Sequence, residues 1–329
     1  LSLAVFHLFS FQNHPMASFF AENCFFLTGP TACGKTAMAL EFAQRENAEI
    51  LSMDSVAIYR EMDIGSAKPT PEEQKKAVHH LIDLVLPTEE FSVVEYLRQA
   101  ELTVKDCLAR GKKPLFVGGT PLYLKALLFG LFKGPEGDEG LREALRAEAF
   151  EAEKNGDLHY LHRKLEAVDP VTASRLHPHD TKRIIRAIEV FTLTGHPIHE
   201  FQTQFEPEVP PHSKERIKII DIPRSDLHCR IERRVDWMFE AGFLDEVRHL
   251  REKYGTLSKT AAMAVGYREI LEYFDAIENP GRKIKDTRTG TMVLPSLDVL
   301  VEQIKTHTRQ MAKRQVTWFR SLMNQKFMF

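Results

Sequence analysis

The sequence predicts an α/β protein: a P-loop core built on a doubly wound parallel sheet, with an all-helical insertion. Three observations carry this. Short apolar runs alternate with amphipathic helical stretches over residues 24–128. The octet Gly29-Pro30-Thr31-Ala32-Cys33-Gly34-Lys35-Thr36 fits G-x-x-x-x-G-K-[ST] between a predicted strand and a predicted helix. Residues 141–201 then read as helix without a convincing strand, until an apolar run at 217–222 restores the first pattern.

Taken in order, residues 1–15 are apolar and lack Lys and Arg, so they have no basic region of a signal peptide. Met16 offers an alternative start, and 1–22 is expected to be a disordered extension. Residues 24–28, closed by Gly29-Pro30, form a buried strand, and 36–44 carry helix formers. A second strand, 49–53, ends at Asp54-Ser55, and 81–86 is a third short run. Ser92 can cap a helix reaching about Arg110, where Gly111 stops it. Residues 114–117 form a strand closed by Gly118-Gly119, and 121–128 are helical. A turn-rich linker at 133–140 opens the insertion, set at 131–212; the core is 23–130 with 213–329. Within the second part, helices are expected over 227–254, 262–274 and 296–323, with a polar loop at 279–291.

Composition bounds the function. The 329 residues are 43% hydrophobic and 27% charged, the balance of a soluble protein with a sizeable core. No stretch approaches 18 uninterrupted apolar residues, so no membrane span or membrane partner is expected. Cys24, Cys33, Cys107 and Cys229 are too scattered for a metal cluster and read as reduced thiols of a cytoplasmic protein. His79-His80, His177/His179 and His196/His199 lack consistent metal partners and read as structural or surface residues. The net charge of −2 argues against a protein that coats nucleic acid, but the average hides an asymmetry. Positions 303–329 hold six Lys/Arg and no Asp/Glu.

The phosphate loop supplies backbone N–H groups and a helix N-terminus for an anion. Lys35 adds a mobile charge, and the Thr36 hydroxyl can hold Mg²⁺. This specifies phosphate, not ATP. A Walker B strand ending in Asp is missing: 115–117 runs into Gly118-Gly119-Thr120, and Asp83 is a weak substitute. Asp54 ends the second strand, so it is expected to face the crevice that holds the phosphate loop, where a carboxylate can take a proton from a nucleophile. Its alternative is a turn or cap residue. On the last helix, Ile304, Met311 and Trp318 form an apolar stripe at sevenfold spacing, which places Trp318 in the core. Lys305, Arg309, Lys313 and Arg320 form a basic stripe beside it that can follow a phosphate backbone. Lys182 and Arg186 share one face of an earlier helix.

GPTACGKT at 29–36, DSVAIYREMDIGSAKPT at 54–70, GGTPLYLKAL at 118–127, KRIIRAIEV at 182–190, VGYRE at 265–269 and TRQMAKRQVTWFR at 308–320 together closely resemble the bacterial tRNA dimethylallyltransferases, over about residues 24–320. The resemblance implies transfer of a dimethylallyl group from dimethylallyl diphosphate to N6 of adenosine 37 in tRNA, with Mg²⁺ assisting, by a protein expected to be a monomer. The phosphate loop then holds the donor diphosphate through residues 29–36, which fits the missing Walker B strand and the absence of a D-D-x-x-D pair. Asp54 takes the position of the residue that accepts the N6 proton, and Ser55, Val56 and Ala57 lie with it against the target base. Arg230 or Arg234 corresponds to an arginine steadying the diphosphate. Thr120, Arg142, Lys182, Arg183, Ile184, Ile185, Arg186, Gly266, Tyr267, Arg268, Arg309, Gln310, Lys313, Arg314 and Gln315 correspond to positions facing the tRNA. Pro121 is a departure where a residue such as Met is expected.

Two other readings stay open at this stage. One is a small-molecule transferase or kinase of the same fold, such as an adenylate isopentenyltransferase. The other is a non-enzymatic P-loop module that binds RNA. The insertion and the basic last helix favour a tRNA acceptor, and Asp54 near a donor loop favours an enzyme.

Overall fold

The computed structural model describes residues 16–131, 134–201 and 215–325. It divides into two compact units, Leu1–Phe129 with Pro207–Phe329, and Gly130–Glu206. The second unit starts at Gly130; the expected end of the insertion, 212, lies outside the described residues.

In the first unit, α1 (Met16–Asn23) precedes β1 (Phe25–Thr28), α2 (Lys35–Glu46), β2 (Ala48–Ser52), α3 (Pro71–Lys76), β3 (His79–His80), α4 (Val93–Ala109), β4 (Lys113–Gly118) and α5 (Pro121–Phe129). The second unit holds α6 (Glu139–Lys154), α7 (Tyr160–Val168), α8 (Pro170–Ala173), α9 (Thr181–Thr194) and α10 (Ile198–Phe201). The chain then returns with β5 (Ile217–Ile219), α11 (Arg224–Glu240), α12 (Phe243–Tyr254), α13 (Lys259–Ala262), α14 (Tyr267–Glu278), β6 (Ile284–Lys285), β7 (Met292–Val293) and α15 (Leu297–Gln325).

The main sheet has order β3-β2-β4-β1-β5, and all its pairs are parallel. β1 and β2 flank β4, so the loops leaving their carboxyl ends lie side by side. That is where a doubly wound sheet collects ligands. Ser92 caps α4 as expected, its Oγ accepting from Glu95 N at 3.1 Å. Pro121 sits at the first position of α5, where a missing N–H costs nothing.

Four expectations need correction. Residues 16–22 of the expected disordered extension form α1, because Phe20 and Ala21 are apolar and fully buried, with Phe20 edge-on to Phe116 at 5.9 Å. Residues 1–15 lie outside the described residues. The third strand is His79–His80 rather than 81–86: Leu81 and Asp83 have φ of 60° and 54°, which breaks the extended backbone, and only Val85 bridges, to Tyr59. The single helix expected over 227–254 is two, interrupted at Gly242 with φ of 97°. The polar loop expected over 279–291 contains β6, which pairs antiparallel with β7 just beyond it.

The core of the helical unit is Leu145, Leu161, Leu165 and the inward face of α9, including Ile184, Ile185 and Ile188. Among the described residues no helix is long and apolar enough to cross a membrane.

Candidate functional site

β1 ends at Thr28 and the loop 29–34 turns back over the sheet to start α2. The turn needs left-handed backbone at Ala32 (φ 61°) and Gly34 (φ 98°). Lys35 Nζ folds over the loop, donating to Gly29 O at 2.9 Å and Pro30 O at 2.7 Å. The adjacent loop after β4 is made to fit by glycine: a Cβ on Gly118 would stand 2.1 Å from Met53 O.

Both loops border a cavity of about 520 Å³. Its walls come from Thr31, Ala32 and Gly34–Thr36 of the phosphate loop, from Asp54–Ala57 and 65–69 of the segment after β2, and from 117–120 after β4. α11 contributes Arg230, Arg233 and Arg234, and α15 contributes Met311 and Gln315. Arg230 and Arg234 are one helical turn apart, so they share a face. Arg234 Nη1 donates to Thr31 Oγ1 at 3.0 Å and Arg230 Nη1 to Cys33 O at 3.4 Å. Both arginines reach the phosphate loop, so neither is singled out by its contacts.

Electrostatically the phosphate-loop wall is cationic. Burial pushes Lys35 below its ordinary pKa, and Arg234 pushes it the same way, against the opposing pull of Cys33 and Asp54. Burial likewise lowers Arg234. Two cations crowded in a partly desolvated site are stabilised by an anion placed between them.

Asp54 lies two residues beyond β2 and lines the same cavity. Its Oδ1 also caps the following turn, accepting from Val56 N at 2.8 Å and Ala57 N at 3.4 Å. Asp54 is thus a turn residue that also lines the cavity. Thr120 lines the cavity too, and its Oγ1 accepts from Ser55 N at 3.2 Å, tying the β4 loop to the Asp54 loop. The Thr36 hydroxyl lies on the same wall. A hard cation that keeps most of its water needs few protein oxygens beside phosphate oxygens, so this donor set fits Mg²⁺. Asp83 is not part of it: its Oδ1 accepts from Lys68 Nζ at 2.6 Å and the backbone turns there.

Other residues singled out from the sequence are placed differently. Gly266, Tyr267 and Arg268 start α14, and of that motif it is the preceding Val265 that lines the cavity. Tyr267 is fully buried, its hydroxyl donating to Glu246 at 2.7 Å, and Arg268 pairs with the buried Glu269. Gln315 joins the phosphate loop, accepting from Thr31 N at 2.9 Å. Arg309 pairs with Glu232 at 3.0 Å and Lys305 with Asp236 at 2.6 Å, both acids on α11, and the exposed Arg320 lies 3.6 Å from Asp221, so three of the four residues of the expected basic stripe have an acidic partner. Gln310, Lys313, Arg314 and Arg320 are exposed, and Lys326 lies outside the described residues. Trp318 is 37% exposed, and Phe319 is buried in its place. A sevenfold repeat drifts by about 20° per heptad on a straight helix, so two heptads from Ile304 the inward register has moved on.

The second unit carries Arg142, Lys182, Arg183, Ile184, Ile185 and Arg186. Ile184 and Ile185 are core, so their side chains cannot meet a ligand, whereas Lys182 and Arg183 are exposed. Arg142 and Arg186 converge on the buried Glu189, at 2.8 Å and 2.5 Å. Burial pushes Glu189 up, but these arginines and Asp138 N–H outweigh it and leave the carboxyl below its ordinary range. Sequence reading missed Glu189, Glu246 and Arg233. For Arg233 a signal existed, in its place between the two arginines already singled out.

Among the described residues, the ligating side chains that cluster are elsewhere: Glu49, His80 and Cys107, with ligand atoms within 4.8 Å of one another. Of the histidine pair at 79–80 only His80 belongs to this group, and Arg110 occupies both Glu49 oxygens, at 2.5 Å and 2.7 Å. The group is a salt-bridged buried carboxylate.

Comparison with known proteins agrees with the geometry. Residues 57–322 match the IPP transferase family model, and 22–85 match a model for isopentenyl transferase. A tRNA dimethylallyltransferase of Rhodopirellula baltica is 42% identical over 318 residues, covering 94% of this chain and 88% of that protein. Another, of Geobacillus kaustophilus, is 40% identical over 93% of this chain and 90% of its own. The crystal structure of the full-length tRNA isopentenylpyrophosphate transferase from Bacillus halodurans aligns with a TM-score of 0.57 at 34% identity, covering 90% of this chain and 86% of that one. A eukaryotic dimethylallyltransferase, solved in snapshots acting on tRNA, aligns with a TM-score of 0.69 at 25% identity, over 90% of this chain and 69% of its own. With a cationic phosphate loop and a carboxylate on one cavity, and matches over nearly its whole length, this chain belongs to the IPP transferase family.

Proposed function

We propose that this chain transfers a dimethylallyl group from dimethylallyl diphosphate to N6 of adenosine 37 in tRNA. The observation that carries the reading is the shared cavity: the phosphate loop, with Lys35, Arg230 and Arg234, and the Asp54 carboxylate line the same space. The names of the relatives support the same reaction.

The residues divide the work by charge. The diphosphate is held by backbone N–H groups of 31–36, by Lys35 and by the two arginines. Lys35 would exchange its present carbonyl partners for phosphate oxygens. Mg²⁺, when bound beside Thr36, adds positive charge on the leaving diphosphate. Adenine N6 is a poor nucleophile because its lone pair is conjugated with the ring. As the N6–C1 bond forms and the C1–O bond to diphosphate breaks, the N6 proton passes to the Asp54 carboxylate and the diphosphate leaves. The base must leave the anticodon-loop stack to reach the donor, at reduced cost because that loop is single-stranded. Holding both reactants in one cavity supplies much of the rate gain.

One assay with labelled dimethylallyl diphosphate tests this. Unmodified tRNA carrying A36-A37-A38 is expected to take the label, whereas AMP and the no-acceptor control are not. Label on AMP but not on tRNA overturns the tRNA reading. ATP hydrolysis without prenyl transfer overturns the transferase reading.

A further inference from the structure

The segment after β2 lines the cavity twice, at 54–57 and again at 65–69. Leading into the second stretch the chain makes one tight turn, with Ala67 N donating to Ile64 O and Lys68 N to Asp63 O, each at 3.0 Å. The first N–H groups of such a turn have no partner within it. A side chain 181–183 positions away supplies one. Glu246, in the first turn of α12, accepts from Asp63 N at 3.0 Å and Ile64 N at 2.7 Å through Oε2, and from Gly65 N at 3.2 Å through Oε1. The Tyr267 hydroxyl donates to Oε1 at 2.7 Å and is itself buried.

The far end of the turn is also pinned. Lys68 Nζ donates to Tyr59 O at 2.9 Å and pairs with Asp63 at 2.5 Å and Asp83 at 2.6 Å. The middle cannot shift easily either. A Cβ on Gly65 would stand 2.2 Å from the Phe243 ring and 2.6 Å from that of Tyr267.

We propose that Glu246 is a positioning residue that caps this turn from outside and so holds the 54–69 wall of the cavity, the side on which the acceptor base meets Asp54. A carboxylate taking three amides makes charge-assisted bonds, stronger than neutral ones, and it places the turn without touching either reactant. The phosphate loop does not depend on it, so donor binding and acceptor use separate.

The test compares E246Q with Tyr267→Phe in the full chain. Glutamine keeps the size but turns an NH₂ towards amides that need an acceptor; phenylalanine leaves the three amide bonds in place. Hydrogen exchange in E246Q is expected to speed up about tenfold over 60–69 and to stay unchanged over 29–36. In steady state, kcat/KM for tRNA falls about tenfold while KM for the donor stays within about twofold, and in Y267F exchange over 60–69 stays within about twofold of the parent protein. Unchanged exchange over 60–69 overturns the cap. Donor KM and tRNA kcat/KM moving by one common factor overturns the positioning role. If E246Q does not fold, Glu246→Asp, shorter by one methylene, is read by the same measurements. The kinetic readout rests on the prenyl transfer proposed above and the exchange readout does not, so the two failures are told apart.

Discussion

Gln315, on the last helix, grips the phosphate loop from 284 positions away: its Oε1 accepts from Thr31 N at 2.9 Å, while its Nε2 donates to Gly119 O at 2.7 Å. One amide thus ties the loops after β1 and β4 to α15. The amide side chain offers both roles at once, an acceptor oxygen for Thr31 N–H and a donor nitrogen for Gly119 O. Gln315→Glu keeps the acceptor and loses the donor, and brings negative charge to the donor site. It is expected to raise donor KM about tenfold, in line with one partly buried bond and a like-charge contact. A donor KM within about twofold of the parent protein removes Gln315 from that role.

Asp54 does two jobs that substitution can separate. Its Oδ1 accepts from Val56 N, and asparagine can keep that bond. Asp54→Asn therefore isolates proton acceptance, whereas Asp54→Ala also loosens the turn. Single-turnover prenyl transfer at saturating tRNA and donor is expected to fall by about 10²–10⁴ in Asp54→Asn, with tRNA binding retained. A rate within about threefold of the parent protein rules out the proton acceptor.

The basic face of α15 is smaller than its sequence indicates, and this sharpens the expected salt dependence. Lys313 and Arg314 are exposed, whereas Arg309 is engaged by Glu232. Lys313→Ala and Arg314→Ala are each expected to weaken tRNA binding and to reduce the slope of log K against log salt by about one. Arg309→Ala should leave that slope unchanged, because its charge is already compensated. Binding titrations at several salt concentrations decide it. An equal slope change in all three variants shows that Arg309 leaves Glu232 to meet the RNA.

What could be read from the sequence follows the range of the interactions. The phosphate loop, the Ser92 cap of α4, and Asp54 beyond β2 are set by neighbours a few residues apart, so composition and spacing reveal them. Glu246 and Glu189 are invisible in the same terms. Each is an ordinary glutamate in an amphipathic helix until the fold brings it Asp63–Gly65 or Arg142. The basic stripe misleads for the same reason: Glu232 and Asp236, which neutralise Arg309 and Lys305, are on another helix. At 81–86 the apolar run is real, but left-handed backbone at Leu81 and Asp83 serves the contacts of Lys68 instead of a strand.

The Glu49–Arg110 pair gives a stability signature independent of catalysis. The bonds from Arg110 hold Glu49 down at a pKa of about 2 against burial, with help from His80 and Cys107. A carboxyl lowered in the folded state contributes stability that is fully present above its ordinary value of 4.5 and is lost as pH falls towards about 2. Arg110 is 41% exposed, so solvent screens the pair and the contribution is on the order of 2 kcal/mol. Denaturant unfolding of the parent protein and Glu49→Gln at pH 7, 4.5 and 3 measures it. The variant is expected to be less stable at pH 7, with the gap narrowing between pH 4.5 and 3 as Glu49 begins to protonate in the unfolded chain. A gap of constant size across that range would show that the pair stabilises the fold through packing rather than charge.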